Sequence, residues 1–231
     1  MGSTRLPGKV LSDLSGESML ARVINRSRRA KTLDELVIAT STMPADEAIA
    51  ELCVARGWQC FRGSEDDVLD RYYRAALAHH ADVVVRITSD CPLIDPELID
   101  IHVNRMQSRR HEVDFVTNMM RQSFPLGLAV EVMPIDVLAR MHRLSTTAYL
   151  REHVTTLAYE KPEWFVVDHV LNDKDLSWMR WTVDTAEDLD FVRRIYECFG
   201  HDRFSWREVL PVLEQHPDWL DINRRVVQKK V

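Results

Sequence analysis

The sequence predicts an α/β fold with a doubly wound, mostly parallel sheet, and three observations predict it. Short β-rich runs alternate with amphipathic stretches along the first half of the chain. The run at 82–88, Asp-Val-Val-Val-Arg-Ile-Thr, is apolar nearly throughout, as a central strand covered on both faces must be. A repeated strand–helix–strand order is what right-handed crossovers turn into parallel sheets.

The elements follow in order. Met19, Leu20, Val23 and Ile24 share one face of a helix over 18–30. Arg22, Arg26 and Arg29 recur along the same stretch, and a solvated face is the expectation for them. LVIAT at 36–40 is a buried strand. A helix carrying Ala48, Ile49, Leu52 and Cys53 follows, with Gly57 as its stop. QCF at 59–61 is a short strand. Residues 65–80 form a helix with its N-cap expected at Ser64 and Asp67 three residues on. After the 82–88 strand, Asp95-Pro96 opens another helix with Pro96 at its first position. Strands are expected at 114–118, 128–133 and 164–170, with helices over 135–160. RWTVD at 180–184 reads as a strand leading into a helix. Ser205 with Glu208 opens the last helix through a capping box. The tail from Asn223 to Val231 is basic and expected to be mobile.

Size and composition fit one domain. The chain has 231 residues, 45% of them hydrophobic, and a net charge of −6, which argues against a nucleic-acid binder. The four cysteines have no C-x-x-C spacing, so neither a zinc site nor a disulfide framework is expected. No apolar run approaches the ~18 residues a membrane span needs. No signal-peptide pattern follows Met1. A cytoplasmic protein is the expectation.

In doubly wound sheets, ligands bind past the carboxyl ends of the strands, and three segments there could carry chemistry. Gly2-Ser3-Thr4-Arg5-Leu6-Pro7-Gly8-Lys9 combines glycines, hydroxyls and two cations, which suits a polyphosphate. It is not a P-loop, because five residues separate the glycines and Val10 follows the lysine. A flexible polar N-terminus is the plainer reading. Asp90, in Thr88-Ser89-Asp90-Cys91-Pro92, should sit at the carboxyl edge of the 82–88 strand. A carboxylate there suits a hard cation that also holds phosphate, and a turn residue fits equally. Asp184 ends the 180–184 run and, with Glu187, could be a helix cap or a metal ligand. Two such aspartates facing a basic loop would be equipment for displacement at phosphorus.

These residues resemble one family. STRLPGK, RGSEDDVLDRYY (62–73), VVRITSDCPLIDP (84–96), REHVT (151–155) and RWTVDTAEDL (180–189) look like the spore coat polysaccharide biosynthesis protein F cytidylyltransferases. Those are related to the synthetases of cytidine-monophosphate-linked sialic and 3-deoxy-octulosonic acids. The likeness runs from Met1 to about Pro217. It implies a nucleotide-diphospho-sugar transferase fold and one domain, 1–231. Its parts would be a nucleotide-binding half at 1–119, a sugar-binding region at 120–178 that can pair two copies into a homodimer, and 179–231 with the metal-site strand and C-terminal helices. It implies attack by a sugar or sugar acid on CTP, or another nucleoside triphosphate, with loss of pyrophosphate, in surface polysaccharide synthesis. Asp90 and Asp184 would hold Mg2+. Arg5 and Lys9 would bind the triphosphate and, with the two aspartates, form the catalytic set. Gly2, Ser3, Thr4, Thr40, Ser41, Gly63, Ser64 and Arg71 would line the nucleotide, and Glu131 and His153 the sugar.

Two departures stand out. The family begins with an apolar strand ending Gln-Ala-Arg, which this sequence lacks before Met1. The family's Gly-Leu-Asp-Val-Glu reads Gly127-Leu128-Ala129-Val130-Glu131 here, without the carboxylate. A non-catalytic or truncated homologue that binds nucleotide or a pathway partner is therefore the alternative. A glycosyltransferase on the same fold is disfavoured, because Ser-Asp-Cys-Pro stands where a D-x-D motif would.

Overall fold

The computed structural model describes residues 1–228. Six strands and nine α-helices alternate along those residues. They are β1 (Val37–Ser41), β2 (Gln59–Gly63), β3 (Val83–Arg86), β4 (Phe115–Thr117), β5 (Glu131–Pro134) and β6 (Val167–His169). The helices are α1 (Met19–Ser27), α2 (Glu47–Arg56), α3 (Val68–Ala78), α4 (Pro96–Ser108), α5 (Ile135–Leu144), α6 (Ala148–Glu152), α7 (Thr156–Glu160), α8 (Ala186–Phe199) and α9 (Trp206–Gln215). The α/β expectation holds.

The strands form two sheets. β1 pairs β2 in parallel, and the other four run in the order β3-β5-β4-β6. β4 and β6 are parallel, whereas β5 runs antiparallel to both its neighbours. Among the described residues the valine run is therefore an edge strand: β3 pairs β5 alone, and all four of its residues are half-buried. The expectation of a central strand failed because apolarity reports covered faces, not the number of hydrogen-bonded neighbours.

Local chemistry explains most boundaries. Asp95 caps α4 through the Glu97 N–H at 2.9 Å, and Pro96 takes the first helical position. The other Asp95 oxygen accepts the Trp206 N–H at 2.7 Å, so one buried carboxylate starts two helices. Ser205 and Glu208 make the expected capping box on α9. α3 starts later than expected: Asp67 is its cap, accepting from Asp70 N–H, and Ser64 instead accepts from Asp67 N–H.

The largest core joins α1, α4, α8 and α9 to β4 and β5 around Trp181, Phe191 and Trp206. A second lies among α3, α5, α6 and α7, against Phe115 and Met133. The third packs α1 and α2 around Trp58 and β1. Arg26 is not on a solvated face. It is fully buried and donates to the carbonyls of Ile94 (2.7 Å) and Asp202 (2.7 Å), tying α1 to the loops around α4 and α8. Tyr196 donates to the Pro92 carbonyl at 2.7 Å, so α8 clamps the loop that follows β3. The tail is not wholly mobile either: Asn223 is buried, while 229–231 lie outside the described residues.

Candidate active site

The loops at the carboxyl end of β3 and before α8 meet around one ammonium group. Lys9 Nζ lies 3.0 Å from Asp90 Oδ2 and 2.8 Å from Asp184 Oδ1, and it donates to the Val183 carbonyl at 2.8 Å. Arg5 and Arg180 each bring a guanidinium nitrogen to 2.8 Å from Asp184 Oδ2. Four residues singled out in the sequence (Arg5, Lys9, Asp90 and Asp184) thus share one cluster, although they come from three distant segments.

Backbone contacts hold the two aspartates together. The Asp90 carbonyl accepts from Val183 N–H at 2.9 Å and from the Thr182 hydroxyl at 3.1 Å. Thr88 fixes the Asp90 carboxylate by donating at 2.6 Å. Residues 180–184 are not a regular strand. Only Arg180 makes a bridge, to Leu126, and hydrogen bonds between Leu126, Met179 and Trp181 hold the segment. Gly127 makes that approach possible. Its φ is +113°, and a Cβ there would stand 2.5 Å from the Thr182 nitrogen.

Asp184 is free of capping duty. Thr185 and Asp188 form the capping box on α8, and Asp184 lies outside it with its carboxylate turned to the cations. Asp188, fully buried, accepts from Asp184 N–H (2.9 Å), Arg180 Nε (2.8 Å) and Asn223 Nδ2 (3.0 Å). Arg180, Asp188 and Gly127 were missed in the sequence. The acidic residues spaced four and eight after Arg180 were the available signal for the first two. Nothing local marks Gly127, because its constraint comes from a segment more than fifty residues away.

Electrostatics keeps the cluster charged. Burial works against the Lys9 ammonium, but Asp90 and Asp184 outweigh it and raise its pKa. Burial likewise opposes the Asp184 carboxylate, and Lys9, Arg180 and Arg5 together lower its pKa. The neighbouring Cys91 thiol is pushed up to about 12 by burial and Asp90, so it stays protonated and is no nucleophile.

Among the described residues, no group of three or more His, Cys, Asp and Glu is arranged to hold a metal. Asp90 and Asp184 do converge on one position, and the Lys9 ammonium stands there as a cation. Two carboxylates, completed by water and phosphate oxygens, are a magnesium-type donor set. The donor chemistry therefore fits a hard divalent ion.

The other expected residues are scattered more widely. Ser3 accepts from Leu6 N–H at 3.3 Å, shaping the N-terminal loop, while Gly2 packs near Glu65 and Thr4 is exposed on the same loop. Thr40 and Ser41 are buried, and their hydroxyls donate to Asp46 at 2.8 and 2.7 Å. The same Asp46 binds the Met1 ammonium at 2.5 Å. Gly63 lies against Arg71, and Arg71 donates to the Ser64 carbonyl. The Arg71 Nε is buried without a hydrogen-bond partner among the described residues. Glu131 is sealed from solvent: Arg86 and the Thr155 and Tyr159 hydroxyls take both its oxygens. His153 is half-buried beside Tyr149, ring centroids 4.9 Å apart.

Comparison with known proteins gives this geometry a context. The profile of the cytidylyltransferase family matches residues 1–209. An uncharacterized protein of Methanocaldococcus jannaschii is 36% identical, over 99% of this chain and 93% of its own. The spore coat polysaccharide biosynthesis protein SpsF of Bacillus subtilis is 32% identical, over 94% and 92%. A 3-deoxy-manno-octulosonate cytidylyltransferase of Anaeromyxobacter is 29% identical, over 84% and 92%. Among solved structures, a cytidylyltransferase from Leptospira borgpetersenii superposes with a TM-score of 0.93 at 29% identity, covering 100% of this chain and 95% of its own.

Proposed function

The chain belongs to the cytidylyltransferase family, and from that premise we propose that it joins a sugar or sugar acid to cytidine monophosphate, taking CTP and releasing pyrophosphate. The product would be a precursor for surface polysaccharide. The observation that carries the reading is the convergence of Lys9, Arg5 and Arg180 on Asp90 and Asp184 at the carboxyl end of the strands.

The division of labour follows from charge. A divalent ion, magnesium by the donor set, would lie between Asp90 and Asp184 and supply Lewis-acid stabilisation of phosphate oxygens. Lys9 and Arg5 move from the carboxylates to the triphosphate and neutralise charge as pyrophosphate departs. Arg180 stays with Asp188 and keeps Asp184 oriented. Arg71, with its unpartnered Nε, and the backbone of Gly63 and Ser64 offer contacts to the nucleotide. No protein nucleophile is needed, since the sugar hydroxyl attacks the α-phosphorus directly. Sugar selection falls to 120–178, where Ala129 replaces the family's acidic residue.

Pyrophosphate release from CTP across a panel of sugars and sugar acids tests the reading. Asp90→Ala and Asp184→Ala should each lower kcat/KM by about 10²–10³-fold, the loss typical when a group that stabilises transition-state charge is removed. Both proteins should keep a native circular dichroism spectrum, and a chelator should silence the wild type. Wild-type turnover in either variant would sink the assignment of the two carboxylates.

A further inference from the structure

Past α9 the chain returns to the cluster around Asp184. Asn223 is buried, and its side-chain amide donates to the Arg180 carbonyl at 2.8 Å and to Asp188 Oδ1 at 3.0 Å. The Val226 N–H turns back onto the Asn223 carbonyl at 3.0 Å. From that turn, two oxygens reach the cations of the site. The Val227 carbonyl accepts from Arg5 Nη1 at 3.5 Å, and the Gln228 side-chain oxygen accepts from Arg180 Nη1.

The rest of both guanidinium groups is committed elsewhere. Arg180 gives Nε and one bond from Nη2 to Asp188, and a second from Nη2 to Asp184. Arg5 gives Nη2 to Asp184. One donor nitrogen on each side of Asp184 is thus met by a neutral oxygen. Those oxygens are loosely held: Val227 is 82% exposed, Gln228 is exposed as well, and Asn223 is the buried anchor behind them. A phosphate oxygen offers the same donors a full opposite charge, and arginine binds phosphate with matching geometry.

We propose that Nη1 of Arg5 and Nη1 of Arg180 form a subsite for polyphosphate oxygens, and that residues 226–228 are a strap filling it until a polyphosphate displaces them about Asn223. The inference rests on the nucleotidyl-transfer reading and adds Arg180 to the groups that meet the leaving phosphates. Arg180 keeps Asp188 and Asp184 throughout, because its Nη1 alone changes partner. The strap holds both guanidinium groups in place for the phosphates, and it lowers the apparent affinity by the fraction of chains in which it is closed.

Inorganic triphosphate with magnesium is the probe, followed by calorimetry and hydrogen exchange with no cytidine or sugar present. Exchange should quicken at the Val226 amide, whose bond to Asn223 the displacement breaks, and tryptic cleavage after Arg225 should quicken with it. Gln228→Ala should tighten triphosphate binding about 2–5-fold, since a competing oxygen is gone. Gln228→Glu sets a carboxylate against Arg180 and should weaken binding at least about fivefold. With CTP, the same variant should raise KM more than it changes kcat. Slower exchange at Val226 with triphosphate would mean that the segment closes over the phosphates, and would overturn the proposal. So would unchanged exchange, or equal affinity in the wild type and both variants. If triphosphate releases the segment but CTP is turned over with no sugar, the subsite stands and the nucleotidyl-transfer reading falls. Failure of every form to bind triphosphate would overturn both.

Discussion

Two acid–base clusters lie four residues apart along the chain at the end of β3, and they are built in opposite ways. Arg86 and Glu131 face each other in register across β3 and β5. Thr155 and Tyr159 close the remaining carboxylate oxygen, and the Glu131 side chain is 3% exposed. Burial and Glu131 together push the Tyr159 hydroxyl pKa up, so it stays protonated and donates to Glu131. At the other cluster, Asp90 is 28% exposed and every partner comes from outside the strands and α-helices. Strand register fixes the first arrangement, while the second can exchange one cation for another without disturbing a ladder. Charge alone does not mark a site. What separates the two is whether the carboxylates keep an open side and partners able to move.

The largest effect that could break this contrast is on stability. Glu131→Gln takes the counter-charge from Arg86, whose side chain is 20% exposed; breaking a fully buried pair costs about 3–5 kcal/mol, and this one should lose about 2–3 kcal/mol. Asp90→Asn should cost less than about 1 kcal/mol, because Lys9 keeps Asp184 and Asp90 reaches solvent. Urea unfolding of the two variants measures both. Equal losses would mean that the cluster at Asp90 is as structural as the one at Glu131.

The next effect sharpens the idea of exchange. Lys9 Nζ pairs with both Asp90 and Asp184, the two carboxylates that would hold a divalent ion. Lys9→Met removes that ammonium and leaves the carboxylates facing each other. Magnesium or manganese alone should then stabilise the variant by about 1–3 kcal/mol at saturating ion, as linkage requires when only the folded state binds. The wild type should respond less without nucleotide. Thermal unfolding against ion concentration reads this directly. An unchanged response in the variant would mean that the carboxylates cannot share an ion.

The same contrast explains what could be read from the sequence. Helix starts were legible where a cap and its partner lie within four residues, as at Asp95-Pro96 and at Ser205 with Glu208. The four residues of the open cluster stood out because cations and acids at strand ends are chemically conspicuous. The fate of Arg26 and Glu131 was not legible. Both are charged, and only tertiary partners far along the chain decide that they are sealed in. β3 was found but placed wrongly in its sheet, since valines record coverage and say nothing about which edge is paired. Gly127 escaped for the same reason: the backbone that crowds it belongs to Trp181 and Thr182.

The smallest effect separates two roles that the sequence left tangled at the start of α8. Asp184 with Glu187 reads as a cap, yet Thr185 accepts the Asp188 N–H and Asp188 returns the bond to the Thr185 N–H. Thr185→Ala should therefore cost about 1 kcal/mol of stability, the usual loss for a helix N-cap. It should leave pyrophosphate release nearly intact, because Asp188 still holds the Asp184 backbone and Arg180. Asp184→Asn should do the reverse, losing turnover while α8 keeps its cap. Thermal unfolding and turnover on the same two proteins decide the matter. If Asp184→Asn instead unfolds the helix while Thr185→Ala does nothing, Asp184 is a cap after all, and its place among the cations is incidental.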